Sequence, residues 1–416
     1  MSAKKVARLP LREIEDTFPK LLVRNYNQWG DRSIALRKKE HGIWNEYSWK
    51  ECYDNVKAIF RGLLAMGLAP GDRVAILGDS TPEWFWSEIA VQASRGAVVA
   101  VNPAASPEKI KYVIDHSHPK FVMAQDQEQV DKIFEIYENL PFERLIYWSP
   151  KGLRHYKEPE LISLRELINE GLIELAKAAE MGHPAHFEQT LTLGNGADPA
   201  HIFYVEGSSG ETEEVAGSHE FLISSAESVL ALYPVGMKDE YVSLMNPGWF
   251  FEQTLGFGAT LLTGQRLNFA ENVETAQKDF REVSPHTVAY PSHLWNRLAS
   301  NIQTNISNSS RIKRMLFKNL LPRGYATADH TLRGSTAGLH QKVLYFIANL
   351  VGFRPLRDKH GLDSIRIAYD AGGKLSQEDL RFFQAIGVDI KQLFASSTKG
   401  IVTIQPEDSI FDKQFI

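Results

Sequence analysis

Cysteine is almost missing from this 416-residue chain: Cys52 stands alone, which excludes an intrachain disulfide framework and fits a reducing compartment. Long apolar runs are missing as well. No stretch of about 18 uninterrupted apolar residues occurs, which argues against a membrane-spanning helix. The basic N-terminal run MSAKKVARLPLREIEDTF lacks the apolar segment of a secretory signal. The formal net charge of −5 is small for this length, so the molecule as a whole has no electrostatic reason to bind nucleic acid. Zinc-ligand spacing, a nucleophile elbow and a dinucleotide fingerprint are also absent; GFGATLLTG has glycines without the required spacing or the following acidic residue. His116, His118 and His219 show no partner pattern for metal or triad chemistry and read as surface or cap residues. Cys52 reads as a packed helical residue. What remains is a cytoplasmic globular protein, 43% hydrophobic and 23% charged.

What is present is a rhythm of helix and strand. WKECYDNVKAIFRGLLAMGL places apolar residues at helical spacing up to Gly67, and RVAILG follows as a short strand. TPEWFWSEIAVQASRG predicts a helix capped by Thr81 with Pro82 in its first turn, then the strand AVVAVNP. SPEKIKYVIDHSHP and KFVMAQ repeat the device. The alternation predicts an α/β fold with mainly parallel sheets. A charge-rich helical connector follows Pro150. It divides a first α/β subdomain with its connector, 1–195, from a second, 196–416. Between Asn301 and Arg323, basic residues interleave with Met315, Leu316, Phe317, Leu320 and Leu321. That pattern fits either an ordinary surface helix or contact with an anionic membrane surface.

The strand-like HIFYV leads into Gly207, Ser208, Ser209 and Gly210, a composition suited to holding a phosphate with backbone N–H groups and hydroxyls. Glu211, Glu213 and Glu214 follow. Together with GDRVAILGDSTPEWFWSEIAVQASRGAVVAVNP, YPSHLWNRL and FRPLRDKHGLDSIRIAYDAGG, this loop resembles the AMP-forming acyl-CoA synthetases of the adenylate-forming superfamily, with the last run most similar to bacterial long-chain fatty acid–CoA ligases.

The resemblance covers nearly the whole chain. It implies the large N-terminal domain of that superfamily, two α/β subdomains, and a parent reaction in which ATP and Mg²⁺ activate a fatty acid as acyl-AMP before transfer to coenzyme A. It assigns nucleotide contacts to Gly207, Ser208, Ser209, Gly210, Gly372, Gly373, Phe394 and Ser397, and acyl contacts to Trp249 and Phe250. Asp370 reads either as a turn cap or as a separate catalytic carboxylate.

This sequence departs from the family pattern in three places. The phosphate-loop lysine position is Glu213, and Val205-Glu206 replaces a Thr-Ser pair. Thr398 stands at the position of the Mg²⁺ carboxylate. The chain stops at Ile416, where relatives continue into a C-terminal domain, so no catalytic or metal residue is assigned. At an effective dielectric constant near 20, two unit charges about 4 Å apart interact by roughly 4 kcal/mol, so exchanging a lysine for a carboxylate predicts weak or absent Mg-ATP binding. The expectation is therefore an impaired long-chain acyl-CoA synthetase-like domain. The alternatives are adenylation completed by a C-terminal domain on a second polypeptide, or a non-catalytic pseudoenzyme that binds acyl groups or a partner. Partners expected are a fatty acid or acyl-adenylate, a homodimer mate, or an active synthetase.

Overall fold

The computed structural model describes residues 15–181, 186–206, 212–332, 338–396 and 400–404. They fall into two compact units: one runs up to Glu227 and adds Ser243–Phe269, the other takes Ser228–Val242 and the described residues from Ala270 onward. This division differs from the boundary expected at 195/196. The strand Pro199–Glu206 pairs in parallel with Ala97–Val101 through Val98↔His201 and Val99↔Ile202, and so completes the sheet of the first unit.

That sheet has seven strands, in the spatial order Leu161–Ser163, Arg144–Tyr147, Phe121–Ala124, Arg73–Leu77, Ala97–Val101, Pro199–Glu206, Thr212–Ser218. Its pairings are parallel except for the last, an antiparallel pairing of Pro199–Glu206 with Thr212–Ser218. Val74, Ala75, Ile76, Leu77, Val98, Val99, Phe121 and Val122 are fully buried, as expected where helices cover both faces of a parallel sheet.

The helices begin where short polar side chains satisfy the free N–H groups of a first turn. Ser48 and Glu51 form a reciprocal capping box for Trp49–Ala65. Thr81 accepts from the Trp84 N–H at 3.2 Å to start Pro82–Ala93, and Ser106 caps Pro107–Ser117. Cys52 is buried on the first of these helices, and burial pushes its thiol up to about 12.

In the second unit, Thr287–Tyr290, Ile367–Ala371 and Ile390–Ser396 run in parallel order beside residues 240–242, with Gly400–Ile404 antiparallel at the edge. Trp295, on the helix Ser292–Ser307, is fully buried, and its ring nitrogen donates to the Tyr369 carbonyl at 2.9 Å. This bond fixes the YPSHLW segment against the strand that carries AYDA.

Candidate functional site

In open parallel sheets ligands bind beyond the carboxyl ends of the strands, and in both units the singled-out residues lie at such an edge. In the second unit the register Tyr290↔Asp370 and Ala371↔Leu393 brings three strand ends level. Asp370 is buried there. It accepts from the Ser292 hydroxyl at 2.7 Å, the Leu375 N–H at 2.9 Å and the Gln392 amide at 3.3 Å. These bonds close the turn that follows the strand, so Asp370 caps that turn.

Gly372 has φ +79°, a left-handed conformation that costs a residue with a Cβ. At Gly373 a Cβ would come within 2.3 Å of Ser292 Oγ. Gly372 is therefore favoured by its backbone conformation, and Gly373 by the close approach of the Ser292 side chain. Phe394, one residue past Leu393, is 42% exposed, a large value for an aromatic ring in a strand. Ser397 and Thr398 lie outside the described residues.

In the first unit the segment Asn246–Phe251 sits over the strand ends. Asn246 donates to the Gly78 carbonyl at 3.2 Å, and a Cβ on Gly248 would come within 2.9 Å of Ala100 Cβ. The close approach delivers Trp249 and Phe250, both partly buried, into an aromatic group. The Phe250 ring centroid is 5.4 Å from Phe251, 5.4 Å from Phe221 and 6.0 Å from Phe203, and Trp249 is 5.2 Å from Phe251. Immediately afterwards Glu252–Gly258 forms a π-helix, a wide-turn distortion that often marks functional sites.

A buried polar cluster holds this segment in place. The Gln253 amide donates to Glu88 at 2.9 Å and to the Pro247 carbonyl at 2.9 Å. Glu88 also accepts from Trp84 at 3.3 Å and Gln92 at 3.0 Å, and lies 3.2 Å from His201 Nδ1. Glu88, His201 and Gln253 are fully buried. Sequence reasoning missed all three, because Glu88 and Gln253 lie 165 positions apart and no local pattern joins them.

Gly207, Ser208, Ser209, Gly210 and Glu211 lie outside the described residues. Their flanks are described, and they form the two paired strands Pro199–Glu206 and Thr212–Ser218. Glu213 is exposed. Glu214 is not a free carboxylate. Arg73 donates to both its oxygens at 2.8 and 3.0 Å, and the Tyr204 hydroxyl donates at 3.1 Å. Burial opposes ionisation of Glu214, but Arg73 and Tyr204 outweigh it and hold its carboxyl below the ordinary value. His116 Nδ1 is 3.2 Å from Glu214 and 2.9 Å from the Tyr204 oxygen. It is thus a surface residue with partners in this cluster. His118 ends its helix in a left-handed conformation, and buried His219 accepts from the Phe18 N–H at 3.3 Å.

Comparison with protein families matches residues 22–411 to the AMP-binding enzyme family. The chain belongs to that family. Among curated relatives of this AMP-binding chain, the long-chain-fatty-acid–CoA ligase ACSBG2 of Xenopus laevis is 23% identical over 414 residues, covering 97% of the chain and 54% of that protein. The chain spans about half the length of the curated relatives it matches. Among solved structures, a long-chain-fatty-acid–CoA ligase (FadD1) from Archaeoglobus fulgidus matches with a TM-score of 0.68 at 12% identity, over 97% of this chain and 69% of that one. VinN, solved with L-aspartate, matches with a TM-score of 0.64 at 15% identity, over 94% and 79%. These structures share the fold: a mixed α/β domain with two mainly parallel sheets, the N-terminal architecture of adenylate-forming enzymes.

Proposed function

We propose that this long-chain acyl-CoA ligase-like domain binds a fatty acid or its acyl-adenylate, and that its ATP-dependent activation chemistry is weakened. The observation that carries the reading is the aromatic group around Trp249 and Phe250, held over the strand ends by Asn246, Gly248 and Gln253. An apolar wall there, beside a buried π-helix, suits an extended acyl chain.

On the nucleotide side the residues fit only in part. Phe394 offers an exposed ring and the Gly372–Gly373 turn offers close backbone approach, so these residues would hold adenine. The family resemblance assigns the phosphate contacts to Gly207, Ser208, Ser209 and Gly210, and a hydroxyl contact to Ser397, all outside the described residues. At the adjoining position Glu213 is exposed and negative where relatives supply a cation, which opposes a triphosphate. When bound, Mg²⁺ would offset phosphate charge; coenzyme A enters as the acceptor in the complete family reaction. Glu213 also favours a second reading, a non-catalytic acyl-binding or partner-binding pseudoenzyme.

Thermal melting with and without palmitate tests the acyl claim, because a ligand that binds only the native state raises the melting temperature. A cooperative transition that palmitate fails to move would refute it. Pyrophosphate release in the presence of palmitate and Mg-ATP separates the two readings: slow release supports impaired chemistry, and none supports the pseudoenzyme.

A further inference from the structure

One helical pair of the second unit combines positive charge with exposed apolar side chains. From Asn301 to Arg357 the sequence carries nine lysines and arginines and a single acidic residue, Asp329, within a chain of formal charge −5. Asp329 is itself engaged by Arg381 at 2.6 and 2.8 Å. Arg311, Lys313, Arg314 and Lys318 on the helix Arg311–Leu332, and Lys342 on the helix Leu339–Ala348, are exposed.

Apolar side chains are exposed on the same two helices and on the π-helix Asn349–Phe353 that continues the second. Leu339, Val343, Phe346 and Leu350 are 81%, 51%, 66% and 56% exposed. Their spacing of four, three and four residues places them along one helical face. Ile347 and Val351 flank that stripe, and Ile312 and Met315 add a smaller one. These are not the core-facing sides. Phe317, Leu320, Ala348 and Phe353 are buried, and Gly352 packs so closely that a Cβ there would come within 2.4 Å of Leu320 Cδ1. Exposed apolar stripes of this kind mark interaction surfaces. Among the described residues no helix is long and apolar enough to cross a membrane.

We propose that the helices Arg311–Leu332 and Leu339–Ala348, with the π-helix Asn349–Phe353, dock on an anionic lipid surface. Leu339, Val343, Phe346 and Leu350 enter the boundary between headgroups and acyl chains, and the neighbouring lysines and arginines meet the lipid phosphates. Charge complementarity selects this occupant. A second copy docking through the same face would set one basic surface against another, and like charges repel across such an interface.

The test is cosedimentation of the full chain with phosphatidylcholine vesicles, with and without phosphatidylglycerol. Binding should require the anionic lipid and fall as salt rises. Lys313→Gln with Arg314→Gln should lower partitioning roughly thirty-fold. Phe346→Ser with Ile347→Ser should abolish cosedimentation and leave the melting temperature unchanged, since both side chains are exposed. The only cysteine is buried, so Val343→Cys accepts a polarity-sensitive dye selectively, and its emission should shift to the blue on anionic vesicles. Binding indifferent to phosphatidylglycerol, or a dye that stays in a water-like environment, would overturn the proposal. So would a dimer that is lost in the Phe346/Ile347 variant while vesicles bind neither protein.

Discussion

At the edge formed by Thr287–Tyr290, Ile367–Ala371 and Ile390–Ser396, a buried carboxylate ties the turn together: Asp370 holds Ser292, Leu375 and Gln392. At the edge of Pro199–Glu206 the two carboxylates differ: Glu213 is exposed, whereas Glu214 is partly buried and clasped by Arg73. The first edge uses its residues to make the backbone, so substitutions there disturb the fold. At the second, Glu213 alone of the two carboxylates is exposed, so residue 213 is expected to change sign at small cost in stability. If the proposed weakening of nucleotide binding holds, the AMP-binding architecture and the affinity for a triphosphate rest on different residues.

Four changes probe that contrast. Asp370→Ala leaves three donors without their acceptor in a buried turn and should destabilise the protein by about 3 kcal/mol or more, read as a lower denaturant midpoint.

Acid gives a loss of similar size through His219. Burial lowers its pKa to about 4, below the ordinary 6.5, so between these values the unfolded chain binds a proton that the folded chain refuses. Stability supplied by neutral His219 is complete above about pH 6.5 and declines as pH falls toward 4, by roughly 3 kcal/mol in all. A pH series of unfolding curves should show this slope, and His219→Gln should flatten it.

Gln253→Ala removes the tie between Glu88 and Pro247 and should cost about 2 kcal/mol. It should also weaken any palmitate-induced rise in melting temperature, since Trp249 and Phe250 hang from that segment. A variant that keeps the full rise would separate the aromatic group from acyl binding.

Smallest in stability is Glu213→Lys, expected within about 0.5 kcal/mol of the parent because the side chain is exposed. A large loss on unfolding would mean that residue 213 also supports the fold, and the contrast between the two edges would fail.

How much of this was legible in the sequence follows from the range of each interaction. Ser48 with Glu51, and Thr81 before Pro82, announce helix starts because a cap and its helix lie within three residues. The Asp370 turn was legible for the same reason: Leu375, whose N–H it binds, is five residues on. Arg73 and Glu214 are 141 positions apart, and only the order of strands in the sheet joins them. The apolar and basic character of 301–323 was visible, but which residues face outward depends on Gly352 meeting Leu320, a contact that periodicity does not reveal. The π-helix at Glu252–Gly258 left no signal beyond its glycines.

Calorimetric titration of Mg-ATP into the parent chain and into Glu213→Lys tests most directly whether the charge at residue 213 weakens nucleotide binding. Weak or undetectable binding by the parent and clearly tighter binding by the variant is the expected result, since repulsion at the phosphates gives way to attraction. Micromolar affinity in the parent, unchanged by the substitution, would contradict the proposed weakening.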